Sequence, residues 1–506
     1  MYEPKATSVI RPVYEWAKRE PQKTALVWSG NAVSYGRLAR GIEAVRRSVG
    51  ELGLPIGSTA LVVTKTLLDC WTVGMALRAL GLHTADVASI DAAPALGLRN
   101  VSCVVADPAS WQRSVVKASP WPGARTVRLP ASIYAGIPAG PTPDLPMDTP
   151  PQGGNILYTS GTTGAHKKLL LSGEDEARRS ANRAAVYRLG PETVWHVAYL
   201  RPWTAVGFKM PLAVWHAGGC VVFDQRSRWA EHFVALGTTN ALLVVSMVNE
   251  LLDAHERLGR PKGDWQLIVT SGFLPAATAR RVSSTLTDKL EICYGSTELC
   301  GPALRTIVAA MDDVHWLSPC EGYALEIVDE QGAACPTGTE GHLRVRLGEL
   351  DYGSYLDDAE TSRTVFRDGW FYPGDMAVRR ADGKIRVLGR SADVLNVRGH
   401  KHAVAPIEHA IEEIMGGKTV CLFSGINSVG QDELVVAVES EQPIEPLALR
   451  EVAHRFASFE NVRVAVLREF PRTQTGTAKV DRNALRKRLF AQDTAVHGPG
   501  VPGTPT

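Results

Sequence analysis

Apolar positions in the first half of the chain fall into short continuous runs that alternate with helical patterns. From Tyr35 to Leu52 they recur at helical spacing and stop among Gly50, Gly53 and Gly57, which predicts an amphipathic helix. Ala60–Val63 reads as a buried strand and Leu67–Leu82 as the helix after it. The unit recurs, with strands expected at Ser102–Ala106, Val194–Tyr199, Cys220–Asp224, Ala241–Ser246 and Leu267–Ser271. Strands alternating with helices predict parallel α/β layers. Pro- and Gly-rich text from Pro138 to Gly154 reads as a long surface connection. Beyond Gly322 the pattern changes to short strands and turns, at Ala324–Val328, His342–Val345, Met376–Arg379 and Ile385–Leu388. After Gly389-Arg390 a compact α+β stretch runs to about Phe490, and the last residues, 491–506, hold too little apolar content to pack and are expected to be disordered.

At 506 residues the chain is long enough for several cores, or one large and one small domain. With 55 Lys and Arg against 53 Asp and Glu, a net charge of +2 gives no basis for nucleic acid or an anionic membrane as partner. Eight cysteines are scattered without a CxxC pair, which argues against a disulfide framework or zinc site and fits reduced thiols in a cytoplasmic protein. The N-terminal text has no apolar run of signal-peptide type. The most apolar internal stretch, Ala241–Met247, is too short to span a bilayer and reads as a buried strand.

The strongest local chemistry lies at Tyr158-Thr159-Ser160-Gly161-Thr162-Thr163-Gly164-Ala165-His166-Lys167. A strand-like lead runs into small hydroxyl residues and two glycines, where backbone N–H groups can converge on phosphate oxygens and a lysine adds charge. It is not a GxxxxGK[ST] loop, because no Ser or Thr follows Lys167. The alternative is a polar turn after a strand. Tyr294-Gly295-Ser296-Thr297-Glu298 sets an aromatic, two hydroxyls and a carboxylate at a strand end, suited to stacking on a base and holding Mg²⁺, or simply to a solvated junction. Asp368-Gly369-Trp370-Phe371-Tyr372-Pro373-Gly374-Asp375 ends on a carboxylate that can accept both ribose hydroxyls, or is an ordinary turn. Two basic segments follow, Gly389–Glu408 and Pro471–Arg482.

These five segments, in this order, resemble the adenylate-forming superfamily of acyl-CoA synthetases, peptide-synthetase adenylation domains and beetle luciferases. The family's YTSGTTGxPKG is kept except for His166 and Lys168, and YGSTE is unchanged. Ser354–Asp358 with Thr361, and Gly369–Asp375, resemble the family's GYxxxxxT…GWxxTGD, and the similarity spans about residues 10–490. It implies an α/β fold. Residues 1–390 would form a large N-terminal domain of α/β layers with a distorted β-barrel, and 391–490 a small mobile α+β domain. By position, Thr159, Ser160, Gly161, Thr162, Thr163, Gly164 and Lys167 would cradle the phosphates of ATP. Tyr294, Gly295, Ser296 and Thr297 would contact the nucleotide and Glu298 would hold Mg²⁺. Asp375 would bind the ribose with Arg390 beside it, and Lys479 would be the catalytic lysine. Ala392 falls at the hinge, and Gly399 and His400 would flank the tunnel of coenzyme A or a carrier protein's phosphopantetheine. The acid pocket would include Trp203, Thr204, Gly207 and Phe208. No Asp lies between Arg201 and Val214 to hold an ammonium, so a small apolar or aromatic carboxylic acid is expected; the same residues can equally pack a core.

The implied reaction joins the acid to AMP, expels pyrophosphate and passes the acyl group to a thiol. The chain departs from the family pattern at three places. Gly476 is separated from Lys479 by Thr477 and Ala478, Ala392 stands where Asp or Lys is usual, and His166 and Lys168 alter the phosphate loop. The first departure keeps open a non-catalytic nucleotide- or acyl-binding descendant. If Lys479 bridges the reacting carboxylate and the α-phosphate, Lys479→Ala cuts acyl-adenylate formation by about a hundredfold or more. Thioester formation from preformed acyl-adenylate then survives, and assaying the two half-reactions separately checks both parts.

Overall fold

The computed structural model describes residues 9–114, 121–137, 139–144, 153–160, 166–233, 237–391, 393–397, 400–426, 432–444, 461–473 and 480–494, with backbone alone at 159–160, 394, 396–397, 400–403, 425–426, 432 and 491–494. Two sheets with parallel centres form its frame. In the first, strands Thr24–Trp28, Cys220–Phe223, Val194–His196, Asn240–Val244, Gln266–Thr270 and Lys289–Tyr294 lie side by side and parallel, and antiparallel strands finish both edges of nine strands in all. In the second, Arg125–Arg128, Val101–Ala106, Thr59–Val63, His83–Asp86 and Asn155–Ser160 are parallel neighbours, ended by antiparallel His166–Leu171.

Two helices are packed on all sides within this frame. In Leu67–Ala79 every residue but Asp69 is buried, and in Ala205–His216 burial is continuous from Gly207 to Trp215. Neither keeps a polar stripe for solvent, the signature of a helix covered all round. They meet at Trp71, whose ring lies 5.7 Å from Phe208, 5.0 Å from Trp215 and 6.2 Å from Phe223. Side-chain oxygens of Thr66 and Thr204 accept from the N–H groups of Asp69 and Gly207 and start the two helices.

A third, antiparallel sheet joins Leu325–Val328, Glu340–Arg346, Phe366–Arg367, Trp370–Phe371, Asp375–Arg379 and Ile385–Arg390. It is the counterpart of the expected barrel and is open in its pairings among the described residues. Past it come the hairpin Val394–Val397 and His400–Ala403, the helix Val404–Ile414, three strands at Val420–Ile426, Asp432–Glu439 and Asn461–Leu467, and the helix Arg482–Thr494. This stretch has apolar clusters of its own. It touches the larger part through Glu413, whose carboxylate accepts from the N–H groups of Ala276 and Ala277, and through His409, stacked on Phe273.

Most expected elements are present with ends shifted by one to three residues. Ala241–Met247 is not one strand. The strand ends at Val244 and the helix Val245–Arg257 begins at once, with Met247, Val248, Leu251 and Leu252 buried on one face. A continuous apolar run across a strand–helix junction carries no period that would divide it. The final helix continues to Thr494, four residues into the expected disordered tail. Because Trp71 is 1% exposed and touches three other aromatic rings, Trp71→Ala should lower stability by about 3–5 kcal/mol, read from the denaturant midpoint at unchanged slope.

Candidate active site

Chemistry-bearing segments collect where parallel strands end. Lys289–Tyr294 delivers Tyr294 and the turn after it, and Asn155–Ser160 leads into the hydroxyl-rich loop; ligands of open α/β sheets bind at such C-terminal strand ends. The Tyr294 hydroxyl donates to Asp375 Oδ2 at 2.5 Å, tying the nine-stranded sheet to the antiparallel one. Asp375 and Arg390 are directly opposite in register, and Arg390 Nε lies 3.2 Å from Asp375 Oδ1. A cross-strand pair of opposite charge is self-supporting, and Arg390 also donates to Pro373 O. Burial, and then the Asp375 carboxylate, hold the Tyr294 phenol well above its ordinary pKa, so it acts as a fixed donor.

Glu298 is 6% exposed. The Ser296 hydroxyl donates to its Oε2 and the Tyr355 hydroxyl to its Oε1, the latter at 2.5 Å. Among the described residues each oxygen accepts from one hydroxyl, of Ser296 or Tyr355, which orients the carboxylate and leaves it capacity for a further partner. Burial, and then Glu298, push the Tyr355 phenol up. The Tyr355 ring also lies 5.2 Å from Lys167 Nζ. One tyrosine thus brings Lys167, from the hairpin Asn155–Leu171, beside the carboxylate of the Tyr294 turn.

In that hairpin Thr159 pairs with Lys167 and Ser160 with His166. Gly161, Thr162, Thr163 and Gly164, between these strands, lie outside the described residues, as do Ala392, Gly399 and Lys479. His400 is described by its backbone alone, in the strand facing Val397. Lys168, which departs from the family pattern, is 9% exposed and donates to Leu96 O at 3.2 Å and Gly97 O at 2.9 Å. It moors the hairpin to a neighbouring turn.

The expected acid-pocket residues are deeply packed. Trp203 is 7% exposed, stacks on Tyr158 at 6.1 Å and carries the Arg201 guanidinium 5.2 Å from its ring centre. Thr204 serves as helix cap. Phe208 is 1% exposed against Trp71. A Cβ on Gly207 would stand 2.2 Å from Arg201 O, so only glycine fits there.

Tyr355 and Lys209 escaped sequence reasoning. Tyr355 was visible only as part of a longer motif. Lys209 left a signal, a single charge inside the apolar run Val206–Trp215, since a buried lysine must find acceptors.

The fold and the converging hydroxyls, carboxylates and lysine define an α/β nucleotide-binding protein. More narrowly, the chain belongs to the AMP-binding enzymes, whose family model matches residues 13–350. It is 24% identical to the vibriobactin-specific 2,3-dihydroxybenzoate-AMP ligase of Vibrio cholerae, over 65% of this chain and 63% of that protein. It is 26% identical to a salicyl-AMP ligase / salicyl-S-ArCP synthetase of Mycobacterium tuberculosis, over 81% and 73% of the two chains. Its fold matches that of an anthranilate CoA ligase solved with anthranoyl-AMP at a TM-score of 0.81, with 18% identity, covering 97% of this chain and 99% of the other. Among the described residues, no helix is long and apolar enough to cross a membrane.

Proposed function

We propose that the protein activates a carboxylic acid with ATP as an acyl-adenylate, releases pyrophosphate, and transfers the acyl group to a thiol. The observation that carries this reading is the convergence of Lys167, Tyr355 and Glu298 beside the Tyr294–Asp375–Arg390 chain, in a member of the AMP-binding enzymes.

A carboxylate is unreactive toward thiols because oxide would have to leave. Attack of its oxygen on the α-phosphorus of ATP makes AMP the leaving group. Two anions must approach, so the protein's contribution is positioning and positive charge. Asp375, oriented by Tyr294 and Arg390, accepts the ribose hydroxyls. Lys167 with the hydroxyl-rich loop would cradle the phosphates, and Lys479 would bridge the reacting carboxylate and the α-phosphate. Glu298, oriented by Ser296 and Tyr355, would hold Mg²⁺, which would supply charge neutralisation for the phosphates. In the second half-reaction the thiol attacks the acyl carbon and AMP departs. Residues 391–490 act as the mobile part, pivoting at Ala392 and bringing Gly399 and His400 to the thiol.

For the acid, the aromatic surroundings of Trp203 and Phe208, with no Asp from 202 to 213, favour an aromatic or apolar molecule. The relatives named for dihydroxybenzoate, salicylate and anthranilate agree with that choice. The acceptor is coenzyme A or a carrier protein's phosphopantetheine. Eight free cysteines suit a reducing compartment and hence a cytoplasmic setting.

A panel of aromatic and aliphatic acids should yield pyrophosphate and AMP from ATP only in lanes holding an accepted acid, with thioester on adding coenzyme A or a loaded carrier. Acid-independent production of ADP and phosphate would overturn the assignment. Pyrophosphate from no acid would favour the non-catalytic descendant. Asp375→Asn removes the charge that faces Arg390 and one acceptor. It should raise the ATP concentration for half-maximal rate about tenfold or more, with the acid's own half-saturation little changed, as steady-state titration of each substrate would show.

A further inference from the structure

The turn that carries Glu298 is neither helix nor strand from residue 295 to 301, yet four successive carbonyls in it are satisfied from outside. Lys209 Nζ donates to Thr297 O at 2.9 Å and to Leu299 O. Tyr352 N donates to Glu298 O at 2.9 Å, and Arg183 Nε to Cys300 O at 3.0 Å. Without a ladder of its own, the turn takes its shape from these donors.

Lys209 holds the central place among them. Its two acceptors are the carbonyls of the residues on either side of Glu298. Thr297 O lies in the peptide plane that leads into Glu298 and Leu299 O one peptide beyond it, while the plane between them is held by the Tyr352 N–H on Glu298 O. The rest of its surroundings do not explain it. The nearby carboxylate, Glu176, is already paired with Arg183, and both are buried. The Tyr352 ring centre is 6.0 Å away. Burial, and then the neighbouring Arg183, lower the Lys209 pKa to about 8, so an ammonium is kept in an apolar helix at a cost in hydration. The hydrogen bonds that its ammonium donates to described residues all go to the turn that carries Glu298.

We propose that Lys209 is a positioning residue for adenylation, an ammonium that clamps the Thr297 and Leu299 carbonyls and so sets the direction of the Glu298 carboxylate. This rests on the reading of Glu298 as the Mg²⁺ ligand. Lys209 sits on the helix that opens with Thr204 and Phe208, so the clamp also joins the acid-pocket segment to the metal carboxylate through one rigid element.

The test is a Mg²⁺ titration of pyrophosphate release with wild type, Lys209→Met, Glu298→Gln and the double variant, alongside melting temperatures. Methionine keeps the apolar stem and removes the donors. Lys209→Met should raise the Mg²⁺ concentration for half-maximal rate about tenfold or more, the scale for losing a group that orients a metal ligand. Glu298→Gln should do the same, and the double variant should add little beyond Glu298→Gln alone, because the two act as one unit. A merely structural lysine would lower the melting temperature or the maximal rate and leave the Mg²⁺ midpoint in place. That outcome, with Glu298→Gln shifted, overturns the inference, as does an additive double variant. An unmoved midpoint in Glu298→Gln overturns the metal assignment itself and the inference with it. If Lys209→Met gives no folded protein, Lys209→Gln, uncharged and too short to reach both carbonyls, is held to the same outcomes.

Discussion

A turn without a regular ladder leaves most of its carbonyls to be met from outside, and in this protein the turn after Lys289–Tyr294 is irregular and carries Glu298. Its carbonyls are met by Lys209, Arg183 and the Tyr352 N–H. Those donors come from helices Gly173–Val186 and Ala205–His216 and from the loop before Tyr355. The site therefore depends on how these elements are packed. The buried Glu176–Arg183 pair keeps one donor in place, and replacing either partner alone would strand a charge in the interior.

Packing around Trp71 extends the same dependence into the core. The helix Leu67–Ala79 meets Ala205–His216 through aromatic rings, so the position of Lys209 is inherited from apolar contacts on the other side of its helix. The second sheet enters through Tyr158 stacked on Trp203 and through Lys168 moored at Leu96 and Gly97. Tyr355 then closes the circuit between Lys167 and Glu298. A preorganised electrostatic site needs such surroundings, because groups that had to reorient during the reaction would lose the advantage over water.

Much of this was legible beforehand, for specific reasons. Apolar runs and helical periods located most of the parallel strands and the central helix Leu67–Ala79, because burial acts on each segment separately. The helix Ala205–His216 and the strands Thr24–Trp28, His83–Asp86 and Arg125–Arg128 were not among the expected elements. Tyr294, Glu298, Asp375 and Lys167 stood out through the resemblance of five ordered motifs to the adenylate-forming superfamily; alone, the Tyr294–Glu298 and Asp368–Asp375 segments read as ordinary polar turns after strands. The junction at Val244–Val245 was not legible, since strand and helix there are equally apolar.

The sequence by itself determined which residue types could do chemistry and which segments would be buried. Only the tertiary structure decided what they meet. Asp375 faces Tyr294, 81 residues away, because two sheets abut. Lys209 reaches carbonyls 88 and 90 residues on, and in the sequence it is a lone charge in an apolar run. Trp203 and Phe208, read as pocket residues, acquire ring partners in Tyr158 and Trp71 that no local pattern announces. The reason is the same in each case: periodicity reports whether a side chain leaves water, while its partner is set by which distant surface it leaves water against.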